Sequence, residues 1–173
     1  MQKAMPGGKE ETENSDTICI IGVGNEFRSD DGIGIHVARR LRKLNLSHIE
    51  ITDNVKDGIE LMELWKNKEY VIVIDAVSTV SEPGMIYRFN ASKKPLPARF
   101  ANRSSHTFSV AEAIELSRKL SQLPSKLIIY GIEGKDFSHG EELSDQVQKV
   151  SGYVIDLILQ ETKPSVQHLI HTR

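Results

Sequence analysis

The stretch TICIIGVGNEFRSDDGIGIHVARRL, residues 17–41, decides the fold. Residues 17–23 are apolar with almost no alternation, the pattern of a strand covered on both faces. A glycine-punctuated turn follows. From 32 to 44, Ile33, Val37, Leu41 and Leu44 then recur on one side of a helix. A strand running through such a turn into a helix is the opening unit of an α/β sheet. Turns of this kind often hold a phosphate at the helix N-terminus. Here two adjacent carboxylates, Asp30 and Asp31, stand where an anion would be repelled.

Working outward, strands and helices alternate. HIEITD (48–53) alternates like a strand, and GIELMELWKN (58–67) has helical spacing. YVIVIDAV (70–77) is a second fully buried strand, and GMIYRF (84–89) a short one after the turn SEPG. The segment 90–105, with two prolines and four basic residues, reads as a loop. FSVAEAIELSRKLSQ (108–122) is a helix ended by Pro124, KLIIYGIE (126–133) a strand, and 143–162 a long closing helix. Continuous apolar strands alternating with helices predict an α/β fold with a mostly parallel sheet between helical layers. The strand at 84–89 has no crossover helix before it, so it is expected to pair antiparallel near an edge.

At 173 residues the chain is one ordinary domain, expected over 17–162. The polar residues 1–16 lack an apolar signal region and read as a disordered leader, and 163–173 as a flexible tail. A net charge of −2 and a pI near 6.3 provide no basic field for nucleic acid or an anionic membrane. No apolar run approaches the roughly 20 residues that span a bilayer. The single cysteine, Cys19, cannot form an internal disulfide and reads as a core residue of a cytoplasmic protein. Trp65 and Tyr70 read as packing residues. His36, His48 and His139 read as surface residues, and ARRLRK (38–43) as a solvated helix face.

In open sheets of this class, sites form outside the carboxyl ends of the strands. The first strand delivers Gly24, Asn25, Glu26, Asp30 and Asp31 there. The second delivers Asp53, the third Asp75, and the last Glu133, while Ser104, Ser105, His106 and Thr107 precede a helix. A rim of carboxylates with one imidazole suits a cation rather than a phosphate. Each residue also has a plainer role open to it. Asp30 or Asp31 caps the next helix, Asp53 is simply solvated, and Glu133 is a turn residue. Asp75 is harder to dismiss, because it interrupts an apolar central strand and needs a partner or a metal. A dinucleotide site is disfavoured, since Phe27 stands where a third glycine belongs. Ser104 or Ser105 beside His106 lacks a nucleophile elbow.

The blocks IIGVGNEFRSDDGIGIHVARRL, VIVIDAV, EPGMIYRF, SSHTFSVAEAIEL and IIYGIEGKDFSHGEELS resemble, in this order, those of the hydrogenase maturation proteases. That family removes a C-terminal extension from the large subunit of nickel–iron hydrogenases after nickel insertion. The resemblance covers about residues 17–160. It implies a three-layer α/β/α sandwich around a five-stranded twisted sheet. It also implies a metal-binding trio of Asp31, Asp75 and His106, with Asn25 orienting a ligand or the substrate backbone. Nickel would arrive with the substrate, and zinc or cadmium would be accepted by the same donors. The implied partner is a hydrogenase large-subunit precursor, met by a monomeric enzyme. In one departure from the family pattern, Asn54, Val55 and Lys56 follow Asp53 where the family carries small residues, which would narrow or reshape the substrate cleft. Two alternatives remain: a non-cleaving relative that holds a metal-loaded precursor, and an esterase like peptidyl-tRNA hydrolase. The acidic GNEFRSDD and the negative net charge disfavour the latter.

Overall fold

Runs of β-branched residues pair into one five-stranded sheet: β1 (Ile18–Gly22), β2 (Ile49–Thr52), β3 (Tyr70–Val77), β4 (Ile86–Asn90) and β5 (Lys126–Glu133). The structure is a computed structural model that describes residues 17–53, 55, 57–101 and 109–163. The expected leader at 1–16 and the tail from 164 onward lie outside the described residues, as does His106. The strand order is β2-β1-β3-β5-β4. Every neighbouring pair is parallel except β4 with β5, which is antiparallel at the sheet edge, as the missing crossover helix requires.

Alternation along the strands divides the core in two. Ile18, Ile20, Ile72, Ile74, Ile128 and Tyr130 face one layer, formed by α1 (Ile33–Arg42) and α5 (Asp145–Glu161). Cys19, Ile21, Val71, Val73, Leu127 and Ile129 face the other, formed by α2 (Gly58–Trp65) and α4 (Val110–Lys119). Each fully buried aliphatic side chain contributes about 1.5–3 kcal/mol relative to exposure. Both strand faces are therefore apolar, which is why β1 and β3 read as unbroken hydrophobic runs. Trp65 is fully buried, and its indole N–H donates to Ser117 Oγ at 3.1 Å.

Local chemistry moves several boundaries from the expected ones. The helix expected to reach residue 44 ends at Arg42, and Leu44 is 48% exposed. Asn45 turns the chain with φ +49°, a left-handed conformation that asparagine tolerates. Within the expected loop 90–105, a short helix α3 (Ala98–Ala101) starts directly after Pro97. α4 begins at a complete capping box: Ser109 Oγ accepts the Glu112 N–H, and Glu112 accepts the Ser109 N–H.

Candidate active site

The chain leaves β1 through α1 to one side of the sheet, and leaves β3 toward the other. The carboxyl ends of β1 and β3 therefore flank the topological switch point where α/β sheets open a crevice. Gly22 pairs with Ile74, so Asp75 stands one residue beyond the end of β1. Asp75 continues the series Val71 and Val73 and faces the α4 layer. Asp31 arrives from the other side, in a 3-10 turn over Ser29–Gly32 that packs on β3.

Glycine makes this approach possible. Gly24 has φ +139°, and a Cβ there would lie 1.9 Å from the Asp31 carbonyl oxygen. A Cβ on Gly34 would lie 2.2 and 2.3 Å from the carbonyl oxygens of Val23 and Ile74. The first turn of α1 thus rests directly on the ends of β1 and β3.

The adjacent acids have separate tasks. Asp30 is fully buried and caps nothing in α1. Its carboxylate accepts the N–H groups of Lys135, Asp136 and Ser144, at 2.8, 2.9 and 2.7 Å, and the Ser144 hydroxyl at 2.8 Å. It ties the first turn to the loop after β5 and to the N-terminus of α5. The expected capping role for one of the pair is therefore corrected: α1 has no side-chain cap, and Asp30 serves a distant helix instead.

Other members of the expected rim are spoken for. Glu133 accepts Thr79 N–H and Oγ, both at 2.7 Å, and so fixes the turn after β3. Asp53, expected to be solvated, takes Arg39 Nε at 2.7 Å and an Arg42 guanidinium nitrogen at 2.6 Å. Burial opposes ionisation of Asp53, but these two guanidinium groups hold its carboxyl below the usual range. Arg39 also grips Glu26 with two nitrogens, so the helix face read as solvated links the turns after β1 and β2. Asn25 Oδ1 accepts the Phe27 N–H at 3.0 Å and closes its own turn. Val55 is buried in the α2/α4 core, so its side chain does not narrow a cleft as expected. Asn54 and Lys56 lie outside the described residues.

Two histidines also differ from their surface reading. His36 Nε2 is enclosed without a hydrogen-bond partner, and His48 Nε2 lies 3.1 Å from the Thr162 carbonyl oxygen. Cys19 is a core residue, with burial pushing its thiol up to about 11.

Asp31 and Asp75 share the crevice, at 4% and 7% exposure. Burial, followed by the negative charge of Asp31, raises the Asp75 carboxyl from 3.8 to about 7. Two carboxyl groups sharing a low-dielectric site disfavour each other's charge, and a divalent cation relieves both the repulsion and the desolvation. This donor set fits a metal of the nickel or zinc class, to which an imidazole is an ordinary third ligand. Among the described residues, no three acidic, histidine or cysteine side chains form a complete metal cluster, and His106 lies outside them.

Residues 35–161 match the family model of HycI, hydrogenase maturation protease. The chain belongs to the hydrogenase maturation protease family. This protease is therefore a hydrolase of the peptidase class. A relative from Methanocaldococcus jannaschii is 30% identical over 155 residues, covering 84% of this chain and 96% of its own. The hydrogenase 2 maturation protease of Escherichia coli is 31% identical over 121 residues, covering 66% of this chain and 71% of its own. Among solved structures, the hydrogenase maturating endopeptidase HybD of E. coli superposes on the protease with a TM-score of 0.72. It is 25% identical, with 84% of this chain and 91% of that one covered. The mostly parallel five-stranded α/β architecture agrees with that relative. No helix among the protease's described residues is long and apolar enough to cross a membrane.

Proposed function

We propose that this protein removes the C-terminal extension of a nickel–iron hydrogenase large-subunit precursor, and that it recognises the precursor by its nickel. The observation that carries this reading is the buried pairing of Asp31 with Asp75 at the switch point of the sheet, in a chain of the maturation protease family. In this reading Asp31, Asp75 and His106 take up open coordination positions on a nickel ion that the substrate brings. Zinc or cadmium substitutes for nickel in the same donor set. Asn25, whose Oδ1 holds its own turn, orients the substrate backbone. Anchoring the nickel fixes the scissile bond at the mouth of the crevice. A nearby metal polarises the carbonyl or the attacking water. Hydrolysis then consumes one water, adding hydroxyl to the carbonyl carbon and hydrogen to the leaving amine. The enzyme acts as a cytoplasmic monomer.

The test is incubation of the purified protein with nickel-loaded and nickel-free precursor, followed by intact-mass measurement. Loss of the extension from the nickel-loaded form alone is expected. Stable complex formation with no loss of mass would make the protein a non-cleaving relative.

A further inference from the structure

Two apolar side chains stand exposed in the loops that leave the strands flanking the crevice. Phe27, 59% exposed, lies in the turn after β1, and Val80, 82% exposed, in the loop after β3. Phe27 precedes Asp31 by four residues, and Val80 follows Asp75 by five. At no more than about 3.6 Å per residue, they lie within about 15 and 18 Å of those acids. Single exposed apolar side chains are ordinary on a helix surface, where Ile59 and Tyr153 stand. Phe27 and Val80 differ in how firmly their backbones are held.

Val80 has φ +66°, and among the described non-glycine residues with positive φ it alone is β-branched. Such a side chain crowds its own backbone in the left-handed region, which asparagine or glycine enters with less strain. The residues on either side of it are pinned to one buried carboxylate. Glu133, 1% exposed, accepts the Thr79 N–H and hydroxyl at 2.7 Å each, and the Ser81 N–H at 3.2 Å. The Glu133 carbonyl oxygen accepts the Gly84 N–H at 2.7 Å and closes the far end of the loop. Backbone strain persists only where the surroundings over-determine it, and it gathers at ligand contacts. Phe27 is stitched in as well. Its N–H donates to Asn25 Oδ1, its carbonyl oxygen accepts the Gly140 N–H at 3.1 Å, and the neighbouring Arg28 donates twice to the Phe137 carbonyl oxygen. A partner that covers these side chains gains their burial without having to order a loop.

We propose that Phe27 and Val80 are two apolar anchors on which the folded body of the metal-bearing precursor docks over the crevice. The inference rests on the endopeptidase reading. A protein that delivers a metal between Asp31 and Asp75 must lie across the carboxyl ends of β1 and β3. A standard interface covers about 800 Å² of each partner, a patch about 30 Å across, and so takes in both loops. The matching surface of the precursor is apolar, since a charged group set against Phe27 or Val80 would lose its hydration without gaining a partner. The anchors act on affinity and leave the chemistry to the crevice.

The experiment measures binding of the nickel-loaded precursor from the same organism by biolayer interferometry, and its processing by mass spectrometry. The wild type is compared with Phe27→Ser, Val80→Asn and Val80→Ile, and with Leu44→Ser at an exposed apolar position beyond the end of α1. Urea denaturation reports the stability of each. Phe27→Ser and Val80→Asn should each weaken binding and raise KM by about tenfold, with kcat unchanged. Val80→Ile and Leu44→Ser should bind as the wild type does. Val80→Asn should also raise the urea midpoint, because asparagine tolerates the left-handed backbone. A merely structural role would lower stability and affinity together, whereas docking moves them in opposite directions. Unchanged affinity in one variant would strike that anchor, and in both would overturn the docking surface alone. So would an affinity loss that tracks a lower urea midpoint, or a loss confined to self-association of the protease in sedimentation. Precursor bound by the wild type but never cut would overturn the endopeptidase reading, with the affinities still deciding the anchors. No binding of the precursor by the wild type would overturn both.

Discussion

Replacing Asp75 with asparagine should make the metal-free protein more stable at alkaline pH, even as it removes a proposed nickel ligand. The carboxyl titrates near 7 in the fold and near 3.8 when exposed, because burial and then the Asp31 charge disfavour its ionised form. Between those values the folded state retains a proton that the unfolded chain has lost. Wild-type stability therefore falls as pH rises from about 4 to about 7, and levels off above. Each decade of proton affinity corresponds to about 1.4 kcal/mol. The cost to the wild type is thus about 2 kcal/mol at pH 5 and about 4 kcal/mol at pH 8, as upper bounds. The asparagine amide has nearly the same shape and no charge to desolvate. Urea denaturation of both proteins in chelator, at pH 5 and pH 8, measures the difference. The Asp75→Asn variant should gain on the wild type by about 2 kcal/mol between the two pH values. A difference that does not change with pH, or a variant less stable at pH 8, would refute the claim that this carboxyl is held in a site hostile to its charge.

Asp30→Ala should be the more damaging change to the fold, costing about 3 kcal/mol or more in urea denaturation, because it strands three backbone N–H groups and the Ser144 hydroxyl around a buried gap. At Glu161, burial opposes ionisation, but hydrogen bonds from Arg88 and Tyr130 pull the carboxyl down to about 2. Its stabilising contribution is complete above about 4.5 and is lost as pH falls toward 2, so Glu161→Gln should flatten the acid limb of the stability curve. Cys19, buried and with its thiol raised to about 11, should react with a thiol reagent only as fast as the protein unfolds. Rapid labelling of the native protein would contradict its core position.

The sheet was legible because β1 and β3 are apolar on both faces, and only a strand between two helical layers needs that pattern. The antiparallel edge followed from the missing crossover before β4. Asp75 announced itself as the charged residue in an otherwise apolar strand. What could not be read is how acids with the same formula divide their work. Asp30 and Asp31 are neighbours in sequence, yet the donors that claim Asp30 come from residues 135, 136 and 144, over a hundred positions away. Asp53 looked like a solvated edge residue until α1 brought Arg39 and Arg42 against it. The segment after β4 drew notice for its basic residues. Its structural weight lies instead in Phe100 and Leu96, whose partners are fixed only when β4 and α4 meet.

The central claim is that Asp31, Asp75 and His106 jointly hold a divalent ion at the switch point of the sheet. It is tested most directly by anomalous scattering from crystals soaked in nickel or cadmium. The account predicts one strong peak in the crevice between β1 and β3, at coordination distance, about 2.0–2.3 Å for nickel-class ions, from all three side chains. A peak bound elsewhere, with the Asp31 and Asp75 carboxyl groups turned apart, would contradict it.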